Sequence, residues 1–250
     1  MVPPKVPSLI IQQPIPKSTD ADSQVCPRCQ GAGYTRHDVP YGHPNFGRIA
    51  KCACKLAAER EKRKQDLLRL SQLGGLTEKT FASFDWLVPG VQEAYTVAWE
   101  YAHCPDGWLV LIGTHGCGKT HLAAAAANLL LEGDQPVLFT TVPDLLDHLR
   151  ATYAPTSEVT YDALYTLMCE AGVLVLDDLG AQHTTPWAEE KLFQLINRRY
   201  VWRSPTIITT NHIRLSGVNE RIRSRLSDVD FVRSVTFGPA AGDYRPQKRR

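Results

Sequence analysis

Eight residues, Gly113-Thr-His-Gly-Cys-Gly-Lys-Thr120, restrict this chain more than anything else in it. The pattern G-x-x-x-x-G-K-T places glycines where the backbone must curl so that successive N–H groups converge on phosphate oxygens. Its lysine reaches the β and γ oxygens, and its threonine hydroxyl holds Mg²⁺. Such a loop works only between a buried strand and a helix, and both flanks comply. Gly107-Trp-Leu-Val-Leu-Ile112 is a continuous apolar run of strand length, and His121-Leu-Ala-Ala-Ala-Ala-Ala-Asn-Leu-Leu-Leu131 consists almost wholly of strong helix formers. A bound nucleoside triphosphate is therefore expected against Gly113, Thr114, His115, Gly116, Cys117, Gly118, Lys119, Thr120 and His121.

From Gly75 onward strands alternate with helical stretches. The expected strands are Trp108 to Ile112, Val137 to Thr141, Val173 to Asp177, Thr206 to Thr210 and Phe231 to Phe237. That alternation predicts an α/β domain, a five-stranded parallel sheet covered by helices on both faces. Val173-Leu-Val-Leu-Asp177-Asp178 ends in two carboxylates, which puts them at the strand's C-terminal edge, where open α/β sheets hold ligands. Asp177 is expected to orient Mg²⁺ beside Thr120, and Asp178 to polarise the attacking water as general base. Thr206-Ile-Ile-Thr-Thr-Asn211 reaches the same edge, where Asn211 is placed to hold that water.

The N-terminal third reads differently. Residues 1–24 carry five prolines among polar residues and are expected to be a mobile tail. From Val25 to Lys55 there is too little apolar material for a core, but four of the chain's seven cysteines are here, at Cys26, Cys29, Cys52 and Cys54. Cys26-Pro-Arg-Cys29 followed by Gln-Gly-Ala-Gly33 reads as a tight knuckle aiming two thiolates at one point, and Cys52-Ala-Cys54 supplies a second pair suited to tetrahedral Zn²⁺. His37 or His43 could replace one of them. Leu56 to Leu73 is charged and helix-prone, a linker stopped by Gly74-Gly75. The expected organisation is a tail at 1–24, a zinc module at 25–55, a helical linker at 56–75, a nucleotide-binding domain at 76–245 and a basic tail at 246–250. At 250 residues, 43% hydrophobic and with a net charge of +2, the composition fits one full-sized core with a small appendage and gives no global basicity. It has no apolar run of membrane-spanning length, which leads to the expectation of a cytoplasmic protein with no membrane partner.

The set Gly113 to Thr120, Leu174-Val-Leu-Asp-Asp-Leu-Gly180, Thr209-Thr-Asn211 and Glu220-Arg-Ile-Arg-Ser-Arg-Leu226 resembles the AAA+ ATPases of the DnaC-type helicase loader family, which also includes the IstB transposition helpers. The similarity spans about Phe81 to Arg245. It implies ATP as the nucleotide, with Lys119, Asp178, Asn211 and Arg225 as the catalytic set. Arg225 would be an arginine finger reaching the ATP of a neighbouring subunit, with Arg221 close by, so that self-association completes the site. Arg245 would contact ATP from the same chain. The stretch Pro143 to Tyr153 matches an insertion helix that in the family helps line a single-strand DNA path, which brings in Thr140, Thr141 and Arg150. The implied activity is ATP-dependent loading of a DnaB-type replicative helicase onto single-stranded DNA. The alternative within the family is an IstB-like transposase helper acting on double-stranded DNA. The four-cysteine module resembles the N-terminal domains of some loaders more than those of transposition helpers, which favours loading.

Overall fold

The structure, a computed structural model, describes residues 25–156, 159–182, 185–211 and 218–244; the proline-rich stretch 1–24, Arg245 and the tail 246–250 lie outside them. By internal contacts the chain divides into two compact units, Met1–Ala58 and Glu59–Arg250.

In the first unit, β1 (Tyr34–Arg36) and β2 (Ile49–Lys51) form an antiparallel hairpin in the register Tyr34↔Lys51, Thr35↔Ala50, Arg36↔Ile49. Three residue pairs are too few to hold a hairpin in water without further support. The cysteine knuckle precedes β1, and Cys52 and Cys54 follow β2 at the start of α1 (Ala53–Leu70). The helix therefore begins three residues earlier than Leu56. Its far end carries Leu67, buried in the second unit, and Ser71 then caps a 3-10 turn over Gln72–Leu76 that contains Gly74 and Gly75.

The second unit is built on a five-stranded parallel sheet. Its strands are β3 (Trp108–Ile112), β4 (Val137–Thr141), β5 (Val173–Leu179), β6 (Thr206–Thr210) and β7 (Val232–Thr236), in the order β4-β5-β6-β3-β7. Every residue of β3 and β6 is buried, as expected of strands covered on both faces; β3 is an unbroken apolar run, while β6 buries three threonines with two isoleucines. The pleat sorts their side chains. Trp108, Val110 and Ile112 join the core under α4 (Val142–Ala151), α5 (Tyr161–Cys169), α6 (Pro186–Val201) and α7 (Glu220–Leu226), while Leu109 and Leu111 face α2 (Gln92–His103) and α3 (Lys119–Glu132). Three helix starts follow from threonines. Thr141, Thr160 and Thr185 each accept a hydrogen bond from the backbone N–H three residues on, worth about 1 kcal/mol apiece.

One buried cation ties the sheet to α5. Arg199 donates to the carbonyls of Met168 (3.3 Å), Cys169 (2.8 Å), Ala171 (3.0 Å) and Pro205 (2.6 Å) and to Thr206 Oγ1 (3.0 Å). Met168 and Cys169 end α5, so the guanidinium satisfies helix-terminal carbonyls that have no acceptor role within the helix. It also fixes the entry points of β5 and β6, whose other ends carry the polar residues of the site.

Candidate functional site

All five strands run the same way, so their C-terminal ends share one edge, and the strand order decides what meets there. β6 lies between β3 and β5, which places Asn211 between the glycine loop and the two aspartates. The loop leaves β3 at Gly113, whose N–H donates to the Thr210 carbonyl at 3.2 Å, and enters α3 at Lys119. Gly116 (φ +74°) and Gly118 (φ +107°) occupy the left-handed region, where side chains are disfavoured, and space forbids a side chain as well. A Cβ on Gly116 would collide with the Asp243 carboxylate, and one on Gly118 would lie 2.7 Å from the Phe84 ring. Gly118 offers α3 no side-chain cap, so the first-turn N–H groups of the helix have no intrahelical acceptor and are available to an anion.

Lys119 is buried and its ammonium donates to the Thr114 carbonyl at 2.7 Å, folded back across its own loop. Thr120 Oγ1 donates to both Asp177 oxygens at 3.1 and 3.0 Å, and Thr209 Oγ1 donates to Asp177 Oδ1 at 2.6 Å. Burial pushes the Asp177 carboxyl above the usual carboxylate range, opposed mainly by the Thr209 hydrogen bond. A buried carboxylate beside two hydroxyls offers oxygen ligands suited to a hard divalent cation.

The strand expected to end at Asp177 continues to Leu179. Leu176 pairs with Ile208 and Leu179 with Thr210, so three steps on β5 meet two on β6 and the strand bulges. Asp178 takes up the extra residue in a left-handed conformation (φ +57°), held by its N–H on Thr209 Oγ1 at 2.9 Å. The bulge re-aims the side chain. Asp178 lines the cavity, while Asp177 is buried behind it against Thr120 and Thr209. Asn211 lines the same cavity, and its buried Oδ1 has no hydrogen-bond partner among the described residues. An orphaned acceptor at this position fits an ordered donor such as a water molecule.

The cavity measures about 470 Å³. One side is the loop from His115 to His121, and the other combines apolar Phe84, Val88 and Val91 with Lys79, Ser83 and Asp85; Gly242 and Tyr244 also line it. That is the shape of a mononucleotide site, polar toward phosphates and apolar toward a base. No motif marks Phe84, Val88, Val91 or Tyr244, and Thr209 belongs to the Thr209-Thr-Asn211 stretch without a role of its own there. Thr209 was legible, since it shares a strand face with Asn211, two residues on. The aromatic Thr80-Phe-Ala-Ser-Phe-Asp85 segment carries no motif, and only the fold brings it against the loop. His121 is drawn toward this segment, with its Nε2 3.0 Å from the Thr80 carbonyl and its ring edge-on to Phe84 at 5.1 Å.

Arg225 and Arg221 do not line the cavity. Arg225 donates to Asn197 Oδ1 (2.8 Å) and to the Arg221 carbonyl (2.7 Å) and stacks over Phe193 at 4.7 Å, while Arg221 pairs with Glu190 at 2.9 Å. Arg245 lies outside the described residues, directly after Tyr244, whose N–H donates to the Gly116 carbonyl at 3.2 Å. Of the three residues implied for a DNA path, Thr140 is buried in β4, Thr141 caps α4, and Arg150 alone is exposed, over the Trp187 ring at 5.2 Å.

In the first unit the four thiols converge. Cys26, Cys29, Cys52 and Cys54 place their Sγ atoms all within 4.8 Å of one another, with Cys26 to Cys52 at 3.8 Å and Cys29 to Cys54 at 3.4 Å. A tetrahedron with Zn–S bonds of about 2.3 Å has edges of about 3.8 Å, so the set fits zinc. Backbone N–H groups of Cys29 and Arg28 lower the Cys26 thiol to about 6, whereas the Cys29 and Cys52 thiols crowding Cys54 push it up to about 12, so the four groups share protons that a metal would displace. His37 and His43 stand outside the group.

A sequence model of the family described as IstB-like ATP binding protein matches residues 52–216. The replicative helicase loader DnaC of Escherichia coli K12 is 28% identical over 162 residues, 62% of this chain and 66% of that protein, just under two thirds of its length. Among solved structures, a DnaC helicase loader superposes with a TM-score of 0.57 at 23% identity, covering 64% of this chain and 97% of that one. DnaA from Aquifex aeolicus, bound to AMPPCP, gives 0.56 at 21% over 64% of this chain and 50% of that one. None of the described helices is long and apolar enough to cross a membrane. With its parallel sheet, its glycine loop and a family match over most of its length, the chain belongs to the IstB-like ATP-binding protein family, the DnaC/IstB group of the AAA+ fold.

Proposed function

We propose that this chain is an ATP-dependent loader of a DnaB-type replicative helicase onto single-stranded DNA, acting in the cytoplasm as a self-assembled oligomer. The observation that carries the reading is the 162-residue similarity to a protein named replicative helicase loader. The site supports it with an uncapped helix N-terminus, glycines whose Cβ positions are taken, and an orphaned Asn211 acceptor. Lys119 and the loop N–H groups would hold the phosphates, Thr120 and Asp177 the magnesium, and Arg245 would add a contact from the same chain. When bound, Mg-ATP supplies the phosphoryl group whose transfer to water drives the cycle. Asp178 would take the proton of the attacking water, which the Asn211 Oδ1 orients. Arg225, braced on α6 and turned outside its own cavity, would complete the site of a neighbouring copy, so that turnover depends on assembly. Cys26, Cys29, Cys52 and Cys54 would hold a structural Zn²⁺ that fixes the hairpin, within a zinc module at 25–55 ahead of a linker and an ATPase domain at 76–245.

Arg150 lies over Trp187 beside stacked Tyr153, Tyr161 and Tyr165, a cation among aromatic faces of the kind that follows a single strand. The family description favours a second reading, an IstB-like helper of a DNA transposase acting on duplex DNA. Capture of a DnaB-type hexamer by the immobilised chain, with ATP and either single-stranded or duplex DNA, separates the two. Loading predicts helicase capture and single-strand preference. Duplex preference with no helicase captured would favour the transposase helper.

A further inference from the structure

The hairpin of the first unit has one exposed face. Its register sets Tyr34 opposite Lys51 and Arg36 opposite Ile49, and all four are exposed, whereas Thr35 and Ala50 on the reverse face are partly covered. Arg28 of the knuckle joins Tyr34 and Arg36 around an open cavity of about 470 Å³, in which Asp38 is the one carboxylate. Lys55 reaches over the Tyr34 ring at 3.9 Å. Between Val25 and Ala58 there are five lysines and arginines and one carboxylate. A zinc centre of four thiolates carries a charge of −2 and offsets part of that surplus, yet the cations lie together on the hairpin and the knuckle. Arg28, Arg36 and Arg48 have no carboxylate partner among the described residues. The loop joining the strands adds Tyr41, 90% exposed, in edge contact with the half-exposed Phe46.

The first unit thus combines an exposed aromatic pair with a group of cations that have no carboxylate partner among the described residues. One ligand answers both, because a single nucleic-acid strand offers phosphates to the cations and unpaired base faces to the rings, while a duplex hides its bases. We infer that the four-cysteine unit is itself a single-stranded nucleic-acid binding surface, centred on Arg28, Tyr34 and Arg36 and flanked by Tyr41 and Phe46, which grips the strand independently of ATP. This rests on the loader reading only for its biological setting. The contact holds the strand in every nucleotide state, while the ATPase unit engages and releases it.

The test is fluorescence anisotropy of a labelled oligo-dT with the full zinc-loaded chain, without nucleotide, over a range of salt. The proteins are wild type, Arg28→Ala/Arg36→Ala and Tyr41→Ala/Phe46→Ala, with zinc content measured on each to verify folding. Losing two phosphate contacts weakens binding at least about tenfold and lowers the salt slope by about 1.4. Losing the rings weakens binding by a similar factor, with little change in slope. Unaltered affinity in both double variants, or equal affinity for duplex and single strand, would overturn the inference. Failure of the loader reading appears elsewhere, as absence of helicase capture, and does not alter these curves.

Discussion

Replacing Arg199 by leucine should damage the fold far from any ligand. The guanidinium is 1% exposed and bonds five oxygens, four of them backbone carbonyls at the end of α5 and the entries to β5 and β6. Each buried acceptor left unpaired costs about 1–3 kcal/mol. Removing a desolvated charge returns part of that, because burial already lowers Arg199 to about 10. A net loss of about 4 kcal/mol is expected, against a total domain stability of roughly 5–15 kcal/mol. For a domain of this size that lowers Tm by about 8–16 °C. The assay is thermal melting of the nucleotide-free chain by far-UV circular dichroism, with Arg199→Lys falling between leucine and wild type because it keeps a charge and fewer donors. The sign of the pH effect follows from the depressed pKa. Between about 10 and the ordinary arginine value the unfolded chain binds more protons, so this group's contribution to wild-type stability rises with pH there, and the leucine variant lacks that gain. A Tm drop under about 2 °C would show that the carbonyls find other partners and that the network is not what joins these elements.

Four further outcomes follow from the site. Gly116→Ala puts a methyl group into the Asp243 carboxylate at a positive φ, so titration with a fluorescent ATP analogue should show affinity reduced at least about tenfold. Asn211→Ala should leave that affinity near wild type while slowing single-turnover hydrolysis about a hundredfold or more, the effect of losing a group that positions a reactant. Arg225→Ala should bind ATP normally, yet its turnover should stay low and no longer rise with protein concentration, a loss of up to about a thousandfold read by phosphate release. Chelating zinc should abolish the hairpin's amide protection in hydrogen exchange while nucleotide binding by the second unit persists.

The sequence reveals elements wherever one physical signal dominates. Trp108–Ile112, an unbroken apolar run, and Val137–Thr141 and Thr206–Thr210, whose apolar residues are joined only by β-branched threonines, are strands with the expected ends, because strands covered on both faces keep only side chains that can be buried. β5 outruns its expected end because a bulge carries it past two carboxylates, and no periodicity announces an aspartate in a left-handed turn. β7 is one residue shorter at each end than Phe231 to Phe237. Phe231 and Phe237 instead support the neighbouring strand, by accepting from Trp108 N–H and donating to the Ile112 carbonyl. The phosphate side of the cavity is contiguous in the chain and so was readable. Its apolar side, Phe84, Val88 and Val91, comes from a loop before the first strand of the sheet, and its proximity is a consequence of topology alone. The Arg199 network was invisible for a similar reason, since an arginine in an amphipathic helix ordinarily reads as a solvated one.

The most direct measurement of the central claim is helicase deposition on closed circular single-stranded DNA, read as unwinding of an annealed labelled strand by a DnaB-type hexamer. With wild-type chain and ATP, unwinding should rise well above that of helicase alone, and Lys119→Ala and Arg225→Ala should abolish the gain. Equal unwinding with and without the chain, or full stimulation by Lys119→Ala, would contradict an ATP-driven loader.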